Sequence, residues 1–461
     1  MATAGLTLRS WASEVEFFIR RHREELAFSI VMLTFFARFY FIFFKTSYAE
    51  SIWTDMSVYW NSADTAAWNT KNFYLVCRAG FPPLHMYYLA LLMRLGDLLA
   101  ITSHILVLTI FINLVVSTLA GYLLYRCARK VMRTETFAMA LLLAYSLSYQ
   151  NILMTSIVLP DNMSAMLFVY AVAMAMIAPR RIGIALITGL VLAYTLALKP
   201  LLVFSAGVFT LYYFFFTERR RRLAVTAAFV AGFMLMIGTI VVINYKMSNK
   251  EMLGISHNGG NTFFIAWGEH GRIYDSQGVW AYSPGTTARK PEWPTIHVPA
   301  PFRDQKTFYK LAMRHITEDP MVLLRKITWM QFMIESPLFP TLNTNPPGFD
   351  FMEAADVRII TTFFMLAFFL MALVLSRRIH NTYLLFPLAL YLMHVLAVYI
   401  LSMPERRYFY LAESLSYLLG IAAIERIVYY HRIIRRELMV FGACMTVLLF
   451  YGAYLYDFSK L

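Results

Sequence analysis

Long runs of apolar residues separated by short polar segments dominate the chain. About twenty such residues in a helix cross the hydrocarbon core of a bilayer with every backbone group satisfied internally. Eleven runs are interpreted as spans: Ala27–Phe44, His104–Leu124, Phe137–Val158, Pro160–Ile177, Ile182–Leu198, Leu201–Phe216, Leu223–Tyr245, Ile359–Leu375, Tyr383–Leu401, Tyr408–Tyr429 and Leu438–Leu455. The pattern predicts an all-α polytopic membrane protein.

The composition also indicates a protein that is surrounded by lipid. Of the 461 residues, 59% are hydrophobic and 15% are charged, whereas soluble domains carry about 25% charged residues. The formal net charge of +14 fits Lys and Arg gathered in cytoplasmic loops, so we predict no nucleic-acid partner. Three cysteines without metal spacing indicate no disulfide framework.

Basic clusters set the predicted topology, because Lys and Arg favour cytoplasmic loops. All six clusters lie on one side if the segment Pro82–Leu95 does not cross the membrane. We therefore predict that this segment is an interfacial or re-entrant helix on the outer side, with two short crossing segments as the alternative. The clusters are Arg20–Arg23, Arg126–Arg133, Arg180–Arg181, Arg219–Arg222, Arg377–Arg378 and Arg432–Arg436.

Three regions follow from this topology. Residues 1–245 form an N-terminal transmembrane module whose first outer loop carries the candidate site. Residues 246–358 form an extracytoplasmic loop or lid with interfacial helices, including a helical pattern over Gln305–Phe332. Residues 359–461 form the C-terminal transmembrane helices.

Two carboxylates lie at the predicted outer surface. Asp55 follows the first span among aromatic residues, and Asp161 begins a span in an apolar setting. An ionisable group at a span end is costly unless it is solvated or used. Either one could instead be structural: Asp55 as a solvated loop residue that caps the next helix, and Asp161 as a helix N-cap.

Cations at the same level are the second unusual feature. Arg78 precedes the stiff Pro82-Pro83 turn, Lys199 lies in a tight turn, and Arg406 and Arg407 lie in a late turn. Outer cations oppose the positive-inside tendency and indicate an anionic partner, with lipid head groups as the simplest one.

Metal and nucleotide chemistry have little support in the sequence. No His-x-x-x-His, Cys-x-x-Cys, Walker or Rossmann pattern occurs. We predict no metal and no cofactor, and we interpret His394 as a hydrogen-bonded helix-packing residue.

The order of these motifs resembles the GT-C glycosyltransferases, particularly the protein O-mannosyltransferases and the lipid A aminoarabinose transferases. The resemblance depends on Asp55, Pro82-Pro83-Leu84, Arg126–Lys130, Asp161, Asn258–Gly268 and Glu405–Tyr408. One departure concerns the donor: where the aminoarabinose transferases have Lys before Pro-Pro-Leu, this chain has Phe81. The resemblance implies a GT-C-like helix bundle with extracytoplasmic loops and interfacial helices.

The activity implied by the resemblance is inverting transfer of a sugar from a polyprenyl-phosphate donor to a hydroxyl of a lipid, glycan or protein. Asp55 is the expected general base, and Asp161 would orient the acceptor or share that role. The expected donor-phosphate ligands are Arg78, Lys199, Arg406 and Arg407. The expected substrate contacts are Tyr59, His85, His257 and Asn258.

Two other functions fit parts of the sequence. A lipid-linked polysaccharide ligase or polymerase also uses a polyprenyl donor and outer-loop arginines. A secondary transporter would show ionisable groups at mid-membrane and often two similar halves. We predict a bacterial inner-membrane location, a periplasmic site and an undecaprenyl carrier, with the endoplasmic reticulum and a dolichyl carrier as the alternative.

Overall fold

The computed structural model describes residues 13–46, 55–68, 82–248, 250, 252–256, 259–267, 305–324, 326–327, 350–375, 381–402, 406–430 and 439. All regular elements within these residues are helices. Residues 13–21 are helical, and the α-helices that follow them include α1 (Arg23–Lys45), α2 (Asp55–Trp68), α3 (Leu84–Leu98), α4 (Ile105–Val131), α5 (Glu135–Ser146), α6 (Tyr149–Thr155), α7 (Pro160–Ile177) and α8 (Ile182–Leu198). Further helices are α9 (Val203–Phe216), α10 (Arg222–Met247), α11 (Gly259–Trp267), α12 (Gln305–Glu318), α13 (Asp350–Leu375), α14 (Thr382–Leu401), α15 (Arg406–Tyr410) and α16 (Glu413–Tyr430). Short 3₁₀ turns cover Thr102–His104 and Pro200–Leu202.

Six described helices, α1, α4, α7, α10, α13 and α14, are long and apolar enough to cross a membrane. The pair α5 and α6 makes a seventh if the two are counted as one bent span, and α8 and α9 are shorter apolar helices. The all-α, multi-pass fold is thus confirmed. The run Leu438–Leu455 lies outside the described residues except for Met439, so the count of eleven spans stays a prediction, as do the three regional boundaries.

The predicted interfacial segment is the helix α3. It begins directly after Pro83, whose fixed φ and missing N–H suit the start of a helix. With 15 residues it is about 22 Å long, short for a crossing of the hydrocarbon core. It packs against α2, where the Arg94 guanidinium lies 5.9 Å from the centre of the Trp68 ring. Its placement at the membrane surface remains a prediction.

Three segments with predicted cytoplasmic residues meet at one end of the bundle. Arg129 donates a hydrogen bond of 2.9 Å to the carboxylate of Glu24, which joins the end of α4 to the start of α1. Arg426, on the last turns of α16, donates to the Val131 carbonyl at 3.0 Å. The first two basic clusters and the end of α16 therefore share one end, as the positive-inside argument requires.

Small residues let α8 and α10 pack backbone to backbone. A Cβ atom at Gly189 would overlap the carbonyl oxygen of Phe229, and one at Gly232 would overlap that of Leu186. Such close approach is a common source of van der Waals contact between membrane helices, where lipid supplies no hydrophobic driving force. The pair α8 and α10 is thereby fixed by two glycines.

The span predicted at Phe137–Val158 is broken. Helices α5 and α6 meet at an angle of 49°, and the freed backbone groups at the break have partners. Ser148 caps α6 by accepting a hydrogen bond from the Asn151 N–H at 3.3 Å. The Asp356 carboxylate of α13 accepts from the Ser148 hydroxyl and the Gln150 N–H, each at 2.9 Å. The distant helix α13 therefore caps the bend.

Arg38 is the charged residue within the first span. The sequence predicts that it snorkels toward a polar cavity, but its side chain is fully buried. It donates to the Ser117 and Thr155 hydroxyls at 2.5 and 2.6 Å, so it joins α1, α4 and α6. No carboxylate within the described ranges lies at ion-pair distance from it. Neutral hydroxyl groups hold this buried cation.

Candidate functional site

A cavity of about 330 Å³ lies where the ends of several helices meet. Its walls come from α2, the start of α7, the turn between α8 and α9, the helices α11 and α12, and the segment from α14 to α15. These elements belong to the segments that the topology predicted to share the outer face. The lining residues are Tyr59, Pro82, Leu159, Asp161, Lys199, Pro200, Leu201, Val203, Ile255, Ser256, Gly259, Thr262, Phe263, Tyr309, Leu401, Arg407 and Tyr408.

An ion pair between Asp161 and Lys199 lies at the cavity wall. Pro160 is the first residue of α7, and Asp161 is in its first turn, where free N–H groups and the helix dipole favour a negative charge. Lys199 directly follows α8, because Pro200 disfavours helical backbone at the residue before it. The Lys199 Nζ atom is 2.6 Å from Asp161 Oδ1, and the two side chains are 14% and 2% exposed. Both charges are therefore buried against each other.

Two cationic side chains lie over the ring of Tyr408. The Lys199 Nζ atom is 4.7 Å from the ring centre, and the Arg407 guanidinium carbon is 5.2 Å from it. Both distances are within the range of cation–π attraction. Among the described lining residues, two cations thus face one carboxylate, that of Asp161.

His85 lies beside the cavity wall on α3. Its ring is 5.2 Å from the Tyr59 ring, edge to face, and 5.9 Å from the Tyr88 ring. Burial lowers the pKa of His85 to about 4; the Val158 backbone and Asp161 oppose this change, and Lys199 adds to it. At neutral pH the imidazole is therefore uncharged, and it supports Tyr59 by packing.

The structure brings four predicted site residues together: Tyr59, Asp161, Lys199 and Arg407 all line the cavity. Asp161 is not the N-cap of α7, since Leu159 holds that position and Asp161 lies in the first turn, so the N-cap interpretation is wrong. Asp55 begins α2 and Arg406 begins α15, but their side chains are outside the described part of the chain. Arg78, His257 and Asn258 lie outside the described residues altogether.

The sequence did not identify Tyr408 or the covering residues as parts of the site. Thr262, Phe263 and Tyr309 line the cavity from α11 and α12. Gly259 approaches so closely that a Cβ atom there would be 2.8 Å from the Tyr309 hydroxyl. The Gly259-Gly260 pair was the one available signal of a close approach. Its partner Tyr309 is fifty residues away, and no motif in the sequence around Tyr309 indicates that it belongs to the site.

Metal ligation is not evident in the described part of the chain. Among those residues, no group of three or more His, Cys, Asp or Glu side chains could hold a metal ion. The expectation that the protein needs no metal stays a prediction, because the Asp55 side chain and His257 lie outside the described part of the chain.

The helices and this cavity define a multi-pass membrane protein with a charged site at one end of its bundle. No protein-family model matches the chain, and no curated protein matches it. A crystal structure of the Archaeoglobus fulgidus oligosaccharyltransferase in the apo form is similar, with 12% sequence identity and a TM-score of 0.46. The match covers 93% of this chain and 55% of that one, so this chain spans about half the length of that protein. A similarity of this size leaves the family open.

Proposed function

We propose that this protein is a GT-C-type inverting glycosyltransferase that moves a sugar from a polyprenyl-phosphate donor to a hydroxyl acceptor on the extracytoplasmic side. The observation that carries the proposal is the convergence of Lys199 and Arg407 on the ring of Tyr408, at the wall of a cavity in a membrane-spanning bundle. Two fixed cations beside apolar walls suit a ligand that is both anionic and lipid-like.

The donor phosphate is assigned to these cations. A departing polyprenyl phosphate gains negative charge as its bond to the sugar breaks, and preorganised cations stabilise that charge strongly when water is excluded. Lys199 and Arg407 line the cavity. Arg406 precedes Arg407 in the chain, and Arg78 precedes the turn at Pro82, so these two arginines are assigned to the same phosphate.

The lipid chain of the donor is assigned to the apolar wall. Leu201, Val203 and Leu401 line the cavity, and Val203 is 43% exposed on the surface of α9. An apolar wall that continues to a lipid-facing helix suits an isoprenoid chain entering from the bilayer, because burial of each CH₂ group contributes about 0.8 kcal/mol.

The acceptor hydroxyl must lose a proton as its oxygen bonds to the anomeric carbon, while the bond from that carbon to the phosphate oxygen breaks. We assign the base to Asp55, one helical turn before the cavity-lining Tyr59 on α2. Asp161 is already engaged by Lys199, which suits an orienting role. The polyprenyl phosphate leaves with the bonding electron pair, and the acceptor approaches from the opposite side of the sugar.

Substrate contacts and location complete the proposal. His257 and Asn258 directly precede Gly259 of the cavity wall and are assigned to the sugar or its phosphate, together with Tyr59 and His85. No cofactor is assigned, because a phosphate is already a competent leaving group. The acceptor belongs to a lipid, glycan or protein, and the assigned location is the bacterial inner membrane with the site facing the periplasm and an undecaprenyl carrier.

The test is transfer of label from a set of radiolabelled polyprenyl-phosphate sugars into membrane extracts that contain the full chain. We expect incorporation by the wild type, loss in Asp55→Asn with donor binding retained, and weaker donor binding in Arg407→Gln. Asp97→Asn is the matched control, since Asp97 is an exposed carboxylate on α3.

The outcomes separate the candidate functions. Full incorporation by Asp55→Asn would remove Asp55 from the chemistry and favour Asp161 as the base, or a lipid-linked polysaccharide ligase. Absence of incorporation with every donor, by wild-type protein that is folded and membrane-inserted, would overturn the glycosyltransferase proposal and favour a transporter.

A further inference from the structure

Another buried basic side chain lies outside the cavity. Lys326 is fully buried, and its Nζ atom is 3.7 Å from the centre of the Trp267 ring and 5.7 Å from that of Tyr399. Within the part of the chain that the structure describes, this nitrogen has no hydrogen-bond partner. An ammonium group has three donors and is strongly hydrated in water, so its burial on two rings is costly.

The same two rings attach a covering segment to α14. We name this segment the cap; it comprises α11, α12 and the described residues from 319 to 327. The Trp267 Nε1–H donates to the Ile400 carbonyl at 2.6 Å, and the Tyr399 hydroxyl donates to the Leu323 carbonyl at 2.8 Å. Lys326 therefore lies between two hydrogen bonds that join the cap to the end of α14.

The cap has a small core of its own. Ala266, Trp267, Ala312 and Val322 are buried together, with Phe263, Ile316 and the α14 residue Tyr399 packed against them. This core joins α11 to α12, so the cap is expected to move as one body. Its connection to α14 depends on the contacts around Lys326.

The position of the cap decides whether the cavity is covered. Gly259, Thr262 and Phe263 of α11 and Tyr309 of α12 form part of the cavity wall, and Leu401 of that wall directly follows Ile400. Separation of the cap from α14 would remove four residues from the wall and expose Lys199 and Arg407 to the outer solvent.

We propose that Lys326 is a proton-dependent latch: the cap docks on α14 with the Lys326 amine neutral, and it leaves α14 with uptake of one proton. The inference rests on the proposed function only for what enters the uncovered cavity.

The charge state of the amine supports this mechanism. Burial lowers the pKa of Lys326 to about 6, whereas a lysine in water has a pKa of about 10.4. The docked cap thus holds one proton fewer than the released cap between these values. Docking is weakest below pH 6, where both forms are protonated, and strengthens by up to about tenfold per pH unit as the pH rises.

Within the described part of the chain, few other titratable side chains belong to the elements around this amine. The residues of α11 carry none, and α14 contributes Tyr399 and, more than one turn earlier, His394, whose Nε2 is 2.7 Å from the Tyr408 carbonyl oxygen. On the cap itself, Arg314 and Glu318 form an exposed ion pair, and Asp319 follows them. The physical cause of the lowered pKa of Lys326 is burial of the amine.

The experiment is hydrogen exchange of the Gly259–Trp267 amides, measured by mass spectrometry on the full chain between pH 6 and 9. Lys326→Met keeps a flexible apolar side chain on the two rings and removes the proton, and Lys326→Arg keeps a charge at every pH. Lys310→Met, an exposed position on α12, is the matched control. Intrinsic exchange rates cancel when each variant is compared at the same pH.

We expect the ratio of wild-type to Lys326→Met exchange to fall by up to about tenfold per pH unit, and Lys310→Met to follow the wild type. Lys326→Arg should exchange fast throughout. Identical exchange in wild type and Lys326→Met at every pH would overturn the latch, as would unprotected amides in all variants. The readout does not use catalysis, so failure of the glycosyltransferase assay leaves this result interpretable.

Discussion

The Lys199 ammonium and the Asp161 carboxylate, 2.6 Å apart, join the end of α8 to the first turn of α7. Removal of the Lys199 charge takes the cation away from the buried Asp161 carboxylate, which costs about 3 kcal/mol or more. Lys199→Met should therefore lower the thermal unfolding midpoint in detergent and abolish transfer.

Asp161→Asn is the reciprocal change, and the double variant is its control. With both charges removed, the double variant should recover most of the unfolding midpoint lost by Lys199→Met, because the uncompensated charge is gone. If the two single effects simply add, the pair contributes nothing as a pair and the interpretation of the site wall is wrong.

The contact between α8 and α10 yields a second prediction. Gly232→Ala places a methyl group against the Leu186 backbone, so one helix must shift, at a cost of about 1–3 kcal/mol. Gly238→Ala is a control on the same helix, since a Cβ there meets no atom within 4 Å, and it should be neutral or slightly stabilising. Unfolding midpoints of both variants in detergent test this, and equal effects would contradict it.

The third prediction is a pH dependence at His85. The pKa of His85 is lowered to about 4 in the folded protein, below the value of about 6.5 in an unfolded chain. The unfolded state thus binds an extra proton between these values, so folding stability decreases as the pH falls from about 6.5 to 4, by up to about 3 kcal/mol.

His85→Phe should remove this part of the acid sensitivity while keeping an aromatic ring against Tyr59 and Tyr88. The exposed His104 provides the control substitution His104→Phe, which should leave the pH profile of the unfolding midpoint unchanged. A profile for His85→Phe that matches the wild type between pH 4 and 6.5 would rule out this origin of the acid sensitivity.

Arg38 gives a fourth prediction. Its burial without a carboxylate within the described ranges means that no ion-pair attraction offsets the lost hydration. Arg38→Met should therefore not reduce, and can raise, the unfolding midpoint, since Thr155 retains its own hydrogen bond of 2.6 Å to the Asn151 carbonyl. A large loss of stability would show that the guanidinium bonds joining α1, α4 and α6 outweigh the burial cost.

The helices were predictable because their signals are local. Ten of the eleven predicted apolar runs are helical in the structure. Pro83 and Pro200 correctly predicted interruptions between helices. Basic clusters also predicted which segments share an end, as the contact of Arg129 with Glu24 illustrates. Each of these properties is set by neighbours within one or two helical turns.

The rest depends on pairs that are distant in sequence. Spacing in the sequence does not decide between Asp55 and Asp161 as the partner of Lys199, and the motif around Tyr408 does not indicate that its ring contacts two cations. Nothing in the local sequence marks Asp356, Glu425 or Lys326. Glu425 accepts hydrogen bonds from the N–H groups of Arg133 and Thr134, almost three hundred residues earlier, which no local pattern reveals.

The capping of the bend between α5 and α6 by Asp356 has a consequence for biogenesis. The ribosome delivers Ser148 and Gln150 to the membrane some two hundred residues before the carboxylate that completes their hydrogen bonds. Until α13 is inserted, the Ser148 hydroxyl and the Gln150 N–H must donate hydrogen bonds to water, lipid or an insertion chaperone. Maturation of the N-terminal half is therefore completed only by the C-terminal helices, and a nascent chain arrested before Asp356 should be a preferred substrate for membrane quality-control proteases.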